Sequence, residues 1–96
     1  MEVLAARFEL RVPSARSLKD KRRAVRPIID GIAARFSISC AEVAHADDHQ
    51  LATVGVAVVS GSAAICESVV DDVERFVWSR PDIDVLDVVK SWIESE

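Results

Sequence analysis

Ile38-Ser39-Cys40-Ala41-Glu42-Val43-Ala44-His45-Ala46-Asp47-Asp48-His49-Gln50-Leu51-Ala52-Thr53-Val54-Gly55-Val56-Ala57-Val58-Val59-Ser60 is the stretch that decides the fold. Ile38–Val43 reads as a short strand and the valine-rich Gln50–Ser60 as a longer one, and the polar run between them makes a hairpin the economical connection. The pattern on either side of this hairpin is helical. Before it, Leu18, Val25, Ile29, Ile32 and Phe36 recur at helical spacing; after it, Ile65, Val69, Val73 and Phe76 do so, with Glu67, Asp71, Asp72 and Glu74 pointing elsewhere. Ser17 is placed to cap the first helix, with Asp20 favouring its positive end, and Gly61-Ser62 to cap the second. Pro27 predicts a kink or restart in the first helix, because proline lacks the N–H and crowds the preceding turn at a cost of about 3 kcal/mol.

Further outward, Val3–Val12 alternates, with Leu4, Ala6, Phe8, Leu10 and Val12 on one face and Val3, Ala5, Arg7, Glu9 and Arg11 on the other. Pro13 ends this strand. Ile83–Ile93 is β-rich and reads as the fourth strand, with Asp87 and Lys90 interrupting the alternation in the manner of a bulge or bend. Strand, helix, hairpin, helix, strand is the split βαβ order. It predicts one α+β ferredoxin-like βαββαβ domain over residues 1–96, a four-stranded antiparallel sheet with two helices on one face. If Ala52, Val54, Val56 and Val58 meet the helices, the other face carries Leu51, Thr53, Gly55, Ala57 and Val59. Apolar side chains on both faces predict a second cover, with Leu51, Thr53, Ala57 and Val59 as the candidate interface of a homodimer.

Bulk properties narrow the function classes. A chain of 96 residues, half apolar and 29% charged, has the balance of one ordinary globular domain. Its start does not read as a signal peptide, and Leu51–Val59 falls far short of the about 20 residues that span a bilayer, so a cytoplasmic protein with no membrane partner is expected. Cys40 and Cys66 lack the spacing of a redox pair or zinc knuckle and read as reduced core thiols. The net charge of −4 hides an asymmetry: residues 1–36 hold nine Lys/Arg against four Asp/Glu, residues 37–96 three against twelve. Such clustering marks a surface for a charged partner.

The basic segment Arg16, Lys19, Lys21, Arg22, Arg23 and Arg26 is the main functional candidate. Lys19, Arg23 and Arg26 fall on one exposed stripe beside the helix's positive end, and with Arg16 they form a candidate nucleic-acid-binding patch. The competing reading is a solvated face, or one bridging to the acidic second helix. On the same wheel Arg22 joins Leu18, Val25 and Ile29, facing inward, while Glu42 shares the parity of Ile38 and Cys40. This predicts a structural ion pair between Arg22 and Glu42.

His45, Asp47, Asp48 and His49 are metal-capable but are also ordinary turn formers, and the loop reading is favoured. No metal or cofactor is expected. No serine or cysteine has a positioned base and no glycine-rich phosphate loop is present, so the chain is read as non-catalytic. Base stacking on the sheet fails as well, because Phe8 points inward and the third strand has no aromatic. Trp78 and Trp92 read as core or interface residues.

Ser17-Leu18-Lys19-Asp20-Lys21-Arg22-Arg23, Ala41-Glu42-Val43 and Ala52-Thr53-Val54-Gly55-Val56-Ala57 together resemble the YlxP-like family of small uncharacterised bacterial proteins, over nearly the whole chain. The resemblance implies a ferredoxin-like fold and no established activity. In that family the genes commonly lie beside those for translation initiation and ribosome maturation factors, which implies a setting near the ribosome. The chain departs from the family at the hairpin, where Asp47 is followed by Asp48-His49 instead of a large apolar or aromatic pair. Two functional readings follow: an accessory protein that contacts ribosomes or RNA through its basic helix, and a homo-oligomeric domain binding a small molecule or protein on its open sheet.

Overall fold

A computed structural model describes residues 1–93; the last three residues of the expected domain lie outside the described residues. The element order is β1 (Glu2–Arg11), α1 (Leu18–Phe36), β2 (Ser39–Ala44), β3 (Leu51–Ser60), α2 (Ala63–Trp78) and β4 (Asp84–Trp92). The strands form one antiparallel sheet in the order β2-β3-β1-β4, so the first and third strands are central. This is the ferredoxin-like arrangement the hairpin and its flanks predict.

The period-2 pattern of β1 is realised in full. Leu4, Ala6, Phe8, Leu10 and Val12 are all buried, as are Ala52, Val54, Val56 and Val58 of β3, and the two rows sit side by side through the pairs Leu4–Val58, Ala6–Val56, Phe8–Val54 and Leu10–Ala52. Val85 and Val88 of β4 pack against the same core, and a bulge opposite Glu9 and Leu10 absorbs the broken alternation of that strand.

Both helices are capped where the sequence predicts. The Ser17 hydroxyl accepts the Asp20 N–H at 3.1 Å, and the Ser62 hydroxyl accepts the Ile65 N–H at 3.4 Å. The buried stripes are rotated from the expected ones. In α1 the inner face is Lys21, Ala24, Val25, Ile28 and Ile32, with Ile29 and Phe36 half-buried; in α2 it is Cys66, Val70, Val73 and Val77, and Ile65 is exposed. Pro27 neither breaks nor restarts α1. It lies on the exposed side of the helix, outside the packed core. Trp78 and Trp92 are not core residues, being 59% and 41% exposed.

Candidate functional site

Arg16, Lys19, Arg23 and Arg26 are all exposed, as the helical wheel predicts. Lys19 and Arg26 are seven residues apart, so they return to nearly the same azimuth about 10 Å apart along the axis, with Arg23 between them. With Arg22 and Pro27 they rim a shallow depression that also includes Asp30. The backbone N–H of Arg16 donates to the Asp20 carboxylate at 3.0 Å, which fixes the chain just ahead of the helix and leaves the guanidinium at the surface.

The bridge from this face to the acidic second helix is not formed. Among the described residues the ion pairs are Lys21–Glu42, Arg75–Asp72 and Lys90 with Asp71 and Glu74, and none involves Arg16, Lys19, Arg22, Arg23 or Arg26. The acidic side of α2 takes its cation from β4, where Lys90 lies 2.9 Å from Glu74 and 3.4 Å from Asp71. The Glu74 hydrogen bond, then its charge and those of Asp71, raise the Lys90 pKa above the usual lysine value. α1 meets α2 through Gly31 and the Phe76 ring and through Arg35, whose guanidinium lies 4.8 Å from that ring's centre.

The predicted Arg22–Glu42 ion pair is replaced by a neighbouring one. Arg22 is exposed, whereas Lys21 is 1% exposed and places its ammonium 3.0 Å from Glu42. The same ammonium donates to the carbonyls of His45 at 2.8 Å and Leu51 at 3.0 Å, so its three N–H groups have three acceptors. Glu42 does face the helices as its parity predicts. The partner changes because the four-carbon lysine stem is apolar enough to join the inner face at a position one residue earlier.

The polar loop is organised by Asp48, whose Oδ1 accepts the N–H groups of Gln50 and Leu51, each at 2.8 Å. These amides, Leu51 first, hold the Asp48 carboxyl below its ordinary pKa. His45 has φ 65, a left-handed conformation that histidine tolerates better than most residues, and it presents its carbonyl to Lys21. Among the described residues no three His, Cys, Asp or Glu side chains converge as metal ligands.

On the open sheet face the candidate interface divides. Val59 is 64% exposed, Leu51 and Ala57 are half-buried, and Thr53 is buried with its hydroxyl 2.5 Å from Glu9 Oε2. Thr53 is therefore a cross-strand contact within the sheet and presents almost no free surface. One end of this face is apolar, where Val3 is flanked by Val59 and by Ile93, whose N–H donates to the Val3 carbonyl; the other end carries Arg7, Glu9, Arg11, Asp84 and Asp87.

A second feature was not visible from the sequence. Between α1 and β2 runs a groove of about 360 Å³ lined by Arg22, Val25, Arg26, Ile29, Cys40 and Glu42, among others. Only the packing of the helix beside the edge strand creates it, and no periodicity within either element encodes that juxtaposition. Burial pushes the Cys40 thiol up to about 11, so it stays protonated and adds to the apolar floor. Among the described residues no helix is long and apolar enough to cross a membrane.

Comparison with known proteins agrees with this architecture. The profile of the family described as "Protein of unknown function (DUF503)" matches residues 3–90. The uncharacterized protein YlxP of Bacillus subtilis (strain 168) is 32% identical over 79 residues, covering 82% of this chain and 86% of that protein. A de novo designed protein with a ferredoxin fold, solved by NMR, superposes with a TM-score of 0.55 at 11% identity, over 99% of this chain and 88% of the design. At that identity the likeness speaks to fold alone.

Proposed function

We propose, from the premise that this chain belongs to the DUF503 family of proteins of unknown function, that it is a non-catalytic accessory protein that associates with ribosomes or RNA through the exposed face of α1. The observation that carries this reading is that Arg16, Lys19, Arg23 and Arg26 share an exposed surface and that, among the described residues, none has a carboxylate within 4.0 Å of its charged group. Cations already committed to intramolecular pairs would have to be released first; these would not. Arg16 and Lys19 also flank the N-terminal end of α1, whose dipole adds positive potential there. No aromatic lies in this stripe, so phosphates rather than bases are its natural targets.

Co-sedimentation with ribosomal subunits over a salt series tests the reading, comparing the native chain with the Lys19→Glu, Arg23→Glu, Arg26→Glu triple variant. Salt-sensitive binding that the variant loses is expected. No binding by the native chain at low salt would overturn it.

A second reading, a homo-oligomer built on the open sheet, rests on the apolar end formed by Val3, Val59 and Ile93, with Ala5 and Ala57 beside it. Sedimentation at micromolar concentration checks it: a dimer that Val59→Asp dissociates would support it, and a monomeric native chain would remove it.

A further inference from the structure

β2 is an edge strand, and the two edges of this sheet are not alike. Open edges invite another strand, and proteins blunt them with charges, bulges or cover. β4 carries Asp84, Asp87 and Lys90 and is bulged near its middle. β2 reads Ser-Cys-Ala-Glu-Val-Ala; its single charge, Glu42, is drawn away by Lys21, and its bulge falls beyond Glu42. Ser39–Glu42 is thus a regular segment with its outer side unpaired among the described residues.

The α1–β2 groove runs beside this edge. Its apolar lining is Val25, Ile29 and the protonated Cys40; Asp30 and the Lys21-paired Glu42 also border it, and Arg22 and Arg26 stand over it with, among the described residues, no carboxylate within 4.0 Å. A chain added alongside β2 would turn alternate side chains to the helix side, the side that Cys40 and Glu42 share. Successive same-facing residues of a strand are about 7 Å apart. Arg22 and Arg26 are one helical turn apart, about 6 Å along the axis. The two repeats match.

We propose that the β2 edge and the α1–β2 groove dock an extended acidic segment of a partner protein, which adds as a fifth strand and sets carboxylates on alternate residues against Arg22 and Arg26. Backbone pairing supplies affinity and the arginines supply selection, as in other strand-addition modes. Charge argues against a second copy as the occupant. Two chains joined β2 to β2 across a two-fold would bring two Arg22–Arg26 pairs together, and Glu42 is already committed to Lys21. The site is independent of the phosphate reading: it needs Arg22, which the α1 stripe does not, and shares only Arg26 with it.

The test is an NMR titration of the native chain with an N-acetylated, C-amidated octapeptide of alternating Thr and Glu. A block peptide of four Thr followed by four Glu has the same charge without the alternation. The alternating peptide is expected to bind at least tenfold more tightly than the block peptide and to slow amide exchange within Ser39–Glu42. The Arg22→Glu, Arg26→Glu double variant, altered only at exposed positions, is expected to keep its melting temperature and lose at least tenfold in affinity. Equal binding of the two peptides, binding that leaves the β2 amides unprotected, or no binding would each overturn the proposal. So would protection of those amides that rises with protein concentration alone, which would give the edge to a second copy.

Discussion

The ammonium of Lys21 lies 3.0 Å from the carboxylate of Glu42, joining the first turns of α1 to the edge strand β2 across a separation of 21 residues. Two loop-side carbonyls, those of His45 and Leu51, complete its coordination. One buried cation thus holds the helix, the edge strand and both ends of the hairpin loop, and it sits beside the groove that Arg22 and Arg26 overhang.

Replacing Lys21 by Met keeps most of the stem and removes the charge. Two carbonyls then lack their lysine donor, and Glu42, whose side chain is 23% exposed, keeps its charge with partial access to water. A loss of about 3 kcal/mol is expected, the lower end for a broken buried pair, whereas Glu42→Gln, which keeps an acceptor, should cost about 1 kcal/mol. Urea denaturation measures both. Equal losses in the two variants would mean that the ion pair, which both remove, and not the carbonyl bonds, which only Lys21→Met removes, sets the stability.

Asp48 gives a pH dependence of definite sign. Its folded pKa lies below the ordinary 3.8 because the Leu51 and Gln50 amides stabilise the carboxylate, so its contribution is present above pH 3.8 and is lost as pH falls from there through the lower folded value. Asp48→Asn retains an acceptor oxygen and carries no charge. The stability difference between the native chain and this variant should shrink between pH 6 and pH 3 when followed by urea midpoints. A difference independent of pH would place the stabilisation in turn geometry alone.

Binding through four phosphate-facing cations should follow the counterion-release law, with log K against log salt falling at a slope of about −3 to −4 on duplex RNA. Lys19→Ala should reduce the magnitude of that slope by about 1 and weaken all sequences alike. A substitution that altered sequence preference and left the slope unchanged would point to base contacts by the same arginines and would overturn the phosphate reading.

Much of this architecture is legible in the chain itself, and the errors on the two helix faces share one physical cause. The alternation in β1 and β3 placed every inner residue correctly, because a strand offers only two faces and a half-buried sheet separates them cleanly. A helix offers a continuum of azimuths. Counting only apolar residues started the α1 stripe at Leu18 and the α2 stripe at Ile65, in first turns that reach past the core, and turned both faces by about one residue. The residues that belonged there were a lysine and a cysteine, Lys21 and Cys66. That rotation exchanged Arg22 for Lys21 as the partner of Glu42, while the exposed stripe Lys19, Arg23 and Arg26 survived because it lies well away from the boundary.

Gly31 tests how closely the two helices are set. A Cβ built there would lie 2.7 Å from Phe76 Cζ, inside contact distance, and the ring is held in turn by Phe36 edge-on at 6.5 Å and by Arg35 over its face. Two effects therefore oppose each other in Gly31→Ala. The better helix propensity of alanine favours the folded state by about 1 kcal/mol. Overpacking typically costs about 1–3 kcal/mol, and a ring wedged between two partners has little freedom to retreat. The clash should win, giving a net loss of about 1 kcal/mol where an open helix site would show a gain. Phe76→Leu removes the offending ring atom, so in that background Gly31→Ala should turn stabilising. A double-mutant cycle by thermal denaturation measures the coupling, and additive effects would show that α1 and α2 adjust their separation instead of resisting the added methyl.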